Sequence, residues 1–129
     1  MKSLNIKGTQ ETPHVIFDKE SGVFSMSGKS LPEDVKEFYL PIIEWVAEYA
    51  QTPNKETKFT VKMDYFNTAS SKMILEVFEL FKEIHDKGFT VVVDWYYQED
   101  DEDMHDAGED YADIVEVPFK LISYQQILE

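Results

Sequence analysis

Residues 58–97, KFTVKMDYFNTASSKMILEVFELFKEIHDKGFTVVVDWYY, decide the fold. Phe59, Val61, Met63 and Tyr65 alternate with Lys58, Thr60, Lys62 and Asp64, the period of a strand from about Lys58 to Phe66 with one covered face and one more polar face. Asn67 to Ser71 make a small polar turn. Met73, Ile74, Val77, Phe78, Leu80, Phe81 and Ile84 then form the wide apolar side of a helix, closed by Lys87-Gly88, where glycine suits a C-terminal cap. From Phe89 to Tyr97 the strand period returns, with Phe89, Val91, Val93 and Trp95 on one face and Val92 and Tyr96 on the other. So continuous an apolar run predicts a central strand covered on both sides. Strand, helix and strand in this order form a right-handed crossover between parallel strands.

On the N-terminal side, His14 to Asp18 and Val23 to Ser27 read as a β-hairpin around the turn residues of DKESG, and Leu4 to Lys7 as an added edge strand within an otherwise flexible 1–12. Ser30 reads as the cap of a helix with Pro32 in its first turn and Glu33 in the capping-box position. The apolar stripe Val35, Phe38, Tyr39, Ile42, Ile43, Val46, Tyr49 and Ala50 carries that helix through Pro41, which should kink it. On the C-terminal side, Asp94 to Glu116 holds 11 acidic residues and no lysine. Residues 98–110 are expected as an exposed or mobile acidic loop without a structural metal, because dense unpaired carboxylates repel one another. Met104, Ala107, Tyr111, Ala112, Ile114 and Val115 allow a short helix in the second half of this interval, with Gly108 against it. A last strand covers Phe119 to Ile122. The order β-β-α-β-α-β-α-β specifies a single α/β domain.

A chain of 129 residues with 43% hydrophobic residues supports one folded domain and excludes global disorder. Its 26 acidic residues against 12 basic ones leave a net charge of −14, which disfavours nucleic acid and anionic lipid as partners. Every basic residue is a lysine, so any arginine clamp must come from a partner. The absence of cysteine removes disulfides, thiolate nucleophiles and Cys-based metal sites and fits a reducing cytoplasm. No stretch has the pattern of a signal peptide or a membrane span, so cytoplasmic residence is expected.

Most catalytic motifs fail on spacing. Gly28-Lys29-Ser30 ends like a phosphate loop, but Val23 stands where the loop's first glycine belongs. His14, His85 and His105 form no metal-ligand pair, and no nucleophile elbow is present. Aligning Gly108 with the invariant glycine of a calcium loop places His105, Ala107 and Ile114 at ligand positions, and none of them suits. No cofactor is expected.

The segment that survives is DYFNTASSKMI, Asp64 to Ile74. A strand leads directly into a helix through an asparagine and three hydroxyl residues, so hydroxyls stand where a phosphate would meet free N–H groups and the positive end of the helix dipole. The plainer reading is capping by Asn67, Thr68 or Ser70.

The hairpin, the alternating elements and a hydroxyl at this helix start resemble the STAS fold of anti-sigma-factor antagonists, a mixed, mostly parallel sheet with helices packed on it. DYFNTASSKMILEVFELF, the earlier FDKESGVFSMSGKSLPEDVKEFYLPIIEWVAEY and the later VVVDWYYQEDDEDMHDAGEDYADIVEVPF are similar to the SiaC family of bacterial regulatory phosphoproteins. That resemblance implies a non-catalytic switch. A dedicated kinase phosphorylates a threonine in the turn and a phosphatase reverses it. The unmodified form activates a diguanylate cyclase in c-di-GMP signalling that controls biofilm formation and aggregation. The matching threonine is Thr68, with Asn67, Ser70, Ser71 and Lys72 completing the turn and its partner-binding surface. Thr68-Ala69-Ser70 replaces the serine-serine-glycine of ordinary STAS proteins and leaves Ser70 as a competing phosphosite. Two other classes of function compete: a small enzyme using carboxylates such as Asp64 and Asp94, and an adaptor that binds through its acidic segment.

Overall fold

The computed structural model describes residues 1–125. A six-stranded sheet contains, in spatial and chain order alike, β1 (Leu4–Ile6), β2 (His14–Asp18), β3 (Val23–Ser30), β4 (Glu56–Phe66), β5 (Thr90–Gln98) and β6 (Phe119–Tyr124). The first three are antiparallel neighbours and β3 to β6 run parallel. The crossovers are α1 (Val35–Tyr49), α2 (Thr68–Asp86) and α3 (Glu102–Val115). Each steps one strand further in the same direction, so right-handedness puts all three helices on one face. None of the described helices is long and apolar enough to cross a membrane.

The covered face alternates as the sequence predicts. Thr57, Phe59, Val61 and Met63 of β4 and Val91, Val93 and Trp95 of β5 are buried, as are Ile42, Val46, Phe78 and Phe81 of the helices. Phe17, Phe24, Trp45, Tyr49, Phe59, Phe78 and Phe81 interlock with ring centroids 4.8–6.1 Å apart, in tilted and edge-on arrangements except for Trp45 and Tyr49, which stack.

Several expectations need correction. The sheet is centred on β3 and β4, with β5 one strand inside the β6 edge. Its second face is open: Val92 and Tyr96 are only half-buried, beside exposed Lys58 and Lys62. The apolar run of β5 therefore reflects a partly shielded open face rather than a second helix layer. The first helix starts at Val35 behind the N-cap Asp34, whose side chain accepts from the Glu37 amide at 3.1 Å. Ser30 is the last residue of β3, fully buried, and caps no helix. As expected from the apolar stripe, α1 continues through Pro41, which lies inside it.

Residues 98–110 are not a loop beyond Asp101. The helix α3 takes up the interval from Glu102, capped by the Asp101 side chain on the Met104 amide at 3.0 Å, with Glu102 and Asp103 in the first turn, where the dipole favours acids. The acids stay exposed, but Met104, Gly108, Tyr111 and Val115 are buried against the sheet. Gly108 is what allows the contact, because a Cβ there would stand 2.5 Å from Trp95 Cδ1.

One irregularity aims the end of β4. The ladder between β3 and β4 shifts after Gly28, which pairs with Met63 while Lys29 pairs with Tyr65. Asp64 is the extra residue, and Gly28 takes φ +102. The phase reverses, so Tyr65 points to solvent, against the expectation from strict alternation. Phe66 turns inward onto Trp95 and Tyr111.

Candidate functional site

The bulge delivers the chain to the start of α2. The Asn67 amide donates to the Ser30 carbonyl at 3.1 Å, holding the turn against the end of β3. Extended Asn67 (φ −84, ψ 175) is the N-cap, and its Oδ1 accepts from the Ser70 amide at 2.8 Å. The Ser71 amide reaches the Asn67 carbonyl at 2.9 Å, and the Ser71 hydroxyl donates to the Thr68 carbonyl at 2.6 Å.

The three hydroxyls of the turn thus separate by direction. Ser70 has no exposed surface, and its Oγ accepts from Ser30 Oγ at 2.8 Å. Ser30 Oγ lies 2.7 Å from the Tyr39 hydroxyl of α1. Burial pushes the Tyr39 phenol up to about 12, with its hydrogen bonds to Ser30 and Ser70 opposing part of that rise. Thr68 faces out at the first position of α2, and its hydroxyl makes no hydrogen bond among the described residues. By helix geometry the amides of Thr68 and Ala69 have no intrahelical acceptor either. The first turn of α2 contains no acidic residue, and Lys72 is exposed one turn on. A dianion on Thr68 would meet free N–H groups, the helix dipole and one lysine, with no like charge in its own turn.

Sequence reasoning gathered Asn67, Thr68, Ser70, Ser71 and Lys72, and the structure brings all five into the first helical turn and a half. It missed Ser30, Tyr39 and Tyr111. Tyr39 stood in an apolar stripe, where a tyrosine already implies a hidden hydroxyl partner. Tyr111 of α3 donates to the Ser71 carbonyl at 2.8 Å, and burial raises its pKa, with a smaller contribution from nearby Tyr39. This bond fixes α3 beside the turn, and a groove of about 270 Å³ runs between α2 and α3.

The two carboxylates of the enzyme reading do not form a pair. Asp94 sits opposite Thr60 on the open sheet face, 5% exposed, with Oδ2 3.4 Å from Lys58 Nζ and no hydrogen-bond partner for Oδ1 among the described residues. Asp64 is exposed four residues further along β4, about 13 Å by strand rise. Among the described residues, one group brings three potential metal ligands within 4.8 Å, His105, Asp106 and Glu109 on α3. The carboxylates are exposed, and the contacts follow from sequence neighbours and an i,i+4 pair, with His105 Nδ1 3.2 Å from each.

The comparisons with known proteins agree with one another. Residues 6–124 match the family described as SiaC family regulatory phosphoprotein. An uncharacterized protein of Pseudomonas aeruginosa strain UCBPP-PA14 is 29% identical over 126 residues, covering 98% of this chain and 100% of the relative. SiaC of Pseudomonas aeruginosa superposes with a TM-score of 0.87 at 28% identity, covering 96% of this chain and 100% of that one. A chain in the crystal structure of diguanylate cyclase SiaD in complex with its activator SiaC, from the same organism, superposes with a TM-score of 0.86 at 29% identity over 94% of this chain and 99% of its own. With the match spanning nearly the whole sequence, the chain belongs to the SiaC family of regulatory phosphoproteins.

Proposed function

We propose that this protein is a non-catalytic cytoplasmic switch whose state is written on Thr68. Unmodified, it binds and activates a diguanylate cyclase. Phosphorylated by a dedicated kinase, it releases the cyclase, and a phosphatase restores it. The observation that carries the reading is the division of hydroxyls at the start of α2: Ser70 is sealed inside, Ser71 bonds the Thr68 carbonyl, and Thr68 alone is exposed with a free hydroxyl among the described residues. Ser70, the competing phosphosite, would have to leave the core to reach a kinase. A phosphate adds about −1.5 to −2 charge at Thr68. The helix terminus tolerates it, whereas a partner packed on a neutral hydroxyl must desolvate a dianion, at a cost of several kcal/mol if uncompensated. The matching complex, a diguanylate cyclase with its activator, is the one in which a solved relative stands. Asn67, Ser71 and Lys72 present the rest of the contact surface, and Ser70 contributes by holding the turn.

The test compares binding of a purified SiaD-type cyclase from the same host to unmodified protein and to protein carrying phosphothreonine at position 68. Tight binding and cyclase activation by the unmodified form alone is the expected result. Equal affinity of two equally folded forms returns Thr68 to being an ordinary first residue of a helix.

A further inference from the structure

The two borders of the sheet differ. β1 is three residues long, and the chain before it is held by the Trp45 indole, which donates to the Lys2 carbonyl at 2.8 Å. β6 is six residues long, and among the described residues no strand pairs with its outer side. The Val93 amide donates to the Pro118 carbonyl and the Glu99 amide to the Tyr124 carbonyl, each at 2.9 Å. In a parallel ladder these two bonds fix the phase, so the even-numbered residues of β6 turn their N–H and C=O groups to β5. Phe119, Leu121 and Ser123 turn theirs outward, a row of unpaired main-chain groups. Phe119 packs on Phe78 on the helix-covered face. Lys120, Ile122 and Tyr124 lie on the open face, where Lys62 Nζ stands 4.4 Å from the centre of the Tyr124 ring.

From this edge we infer that the protein forms a two-fold dimer in which β6 of one copy pairs antiparallel with β6 of a second copy, centred on Ile122. Charge selects the border. Two copies of net charge −14 repel wherever their acids meet, whereas residues 119–125, FKLISYQ, carry one lysine and no acid. The side chains select a second copy as the occupant, because the strand is complementary to itself. Centring on Ile122 sets Leu121 opposite Ser123 of the second copy, and both have outward N–H and C=O groups to exchange. It also sets Lys120 opposite Tyr124 of the second copy, repeating between copies the cation–π contact that Lys62 makes with Tyr124 within one. Ile122 meets its own equivalent on the axis. Centring on Lys120 instead would oppose two lysines, which like charge disfavours. The axis of an antiparallel pair stands perpendicular to the sheet, so the helices of both copies share one face. The dimer therefore shows two Thr68 turns on the same side, whatever their state, and a two-fold partner gains by engaging both.

Sedimentation equilibrium of the protein, over a range of concentrations and at low and high salt, tests the dimer. The expected result is a monomer–dimer equilibrium that tightens as salt rises, because salt screens the repulsion between two acidic copies and leaves main-chain and apolar contacts intact. Ser123→Pro removes an outward N–H without taking a donor from the β5–β6 ladder, and Ile122→Lys sets two lysines against each other on the axis. Each should weaken dimerisation at least about tenfold, with circular dichroism and urea midpoints checking that the monomer stays folded. Ile122→Lys decides the matter if Ser123→Pro fails to fold. A parent that stays monomeric at every concentration and salt overturns the inference. So does a dimer that persists unchanged in a folded variant, which places the interface elsewhere, or one that tightens at low salt, which assigns it to charge pairs. A monomeric parent whose Ser123→Pro variant loses cyclase binding gives the edge to a partner's strand and likewise overturns the dimer, while leaving the switch at Thr68 standing.

Discussion

Ser30 and Ser70, forty residues apart in the chain, meet through hydroxyl oxygens 2.8 Å apart with no solvent exposure at either residue. Tyr39 completes the contact from α1, so three buried hydroxyls join the end of β3, the first helix and the start of the second. Each satisfies another, with no surface of the three residues exposed to solvent. The turn bearing Thr68 is thereby anchored from below, and the outward direction of Thr68 follows from the inward direction of Ser70.

Removing one member should cost more than its own bond. Ser70→Ala leaves the Ser30 donor buried without its acceptor, and an orphaned buried polar group costs about 1–3 kcal/mol. Urea unfolding should show a loss in that range. A loss below about 0.5 kcal/mol would mean that the trio contributes nothing to holding the turn.

The same network sets an alkaline limit. The Tyr39 phenol stands at about 12 in the folded protein against its ordinary 10, and Tyr111 is raised as well. A group whose folded pKa is raised contributes stability that is complete below the unfolded pKa, and this stability is lost as pH rises through the folded value. Stability should therefore fall between about pH 10 and pH 12. Tyr39→Phe should flatten part of that fall, as read from urea midpoints across the interval. An identical alkaline slope in parent and variant would show that Tyr39 does not carry it.

Gly108 makes a steric prediction. A Cβ there would meet Trp95 Cδ1 at 2.5 Å, Trp95 Nε1 at 2.6 Å and Leu121 Cδ2 at 2.8 Å. The Trp95 ring is fully buried, and its Nε1–H donates to the Met104 carbonyl at 3.0 Å, so it cannot easily move aside. Although alanine has the higher helix propensity, Gly108→Ala should destabilise by about 1–3 kcal/mol through overpacking. A near-neutral or stabilising result would mean that α3 can shift off β5.

These examples show where the sequence was legible. Alternation in Phe59 to Met63 and the three- and four-residue steps from Met73 to Ile84 reported local periods, and both elements stand where those periods put them. Ser30 misled because a serine before Pro32 and Glu33 looks like a cap, and only the pairing of Ser30 with Phe66 reveals a strand end. Gly108 spoke against a helix by propensity, while its reason, the Trp95 ring thirteen residues earlier, is a tertiary contact. The Asp64 bulge that turns Tyr65 out and Phe66 in has no local signature either. The turn itself was legible because an asparagine followed by hydroxyls at a strand-to-helix junction is local chemistry. Which hydroxyl faces out depended on Tyr39 and Ser30, which the chain brings from another element.

The last prediction separates capping from signalling within this turn. Asn67 Oδ1 holds the Ser70 amide at 2.8 Å and is the N-cap, while Thr68 is exposed and has no side-chain hydrogen bond among the described residues. Asn67→Ala should therefore cost about 1 kcal/mol, with a range of about 0.5–2, whereas Thr68→Ala should stay within about 0.5 kcal/mol of the parent. Partner binding should divide differently: Thr68→Ala retains the cyclase-binding form and cannot be switched off by the kinase. Thr68→Asp brings one charge and fewer acceptors than a phosphate and should weaken cyclase binding only in part. Thermal or urea unfolding of the two alanine variants, paired with cyclase affinity before and after kinase treatment, reads both quantities. If Thr68→Ala loses as much stability as Asn67→Ala and still responds to the kinase in cyclase binding, then Thr68 is the structural residue of this turn and the switch lies elsewhere.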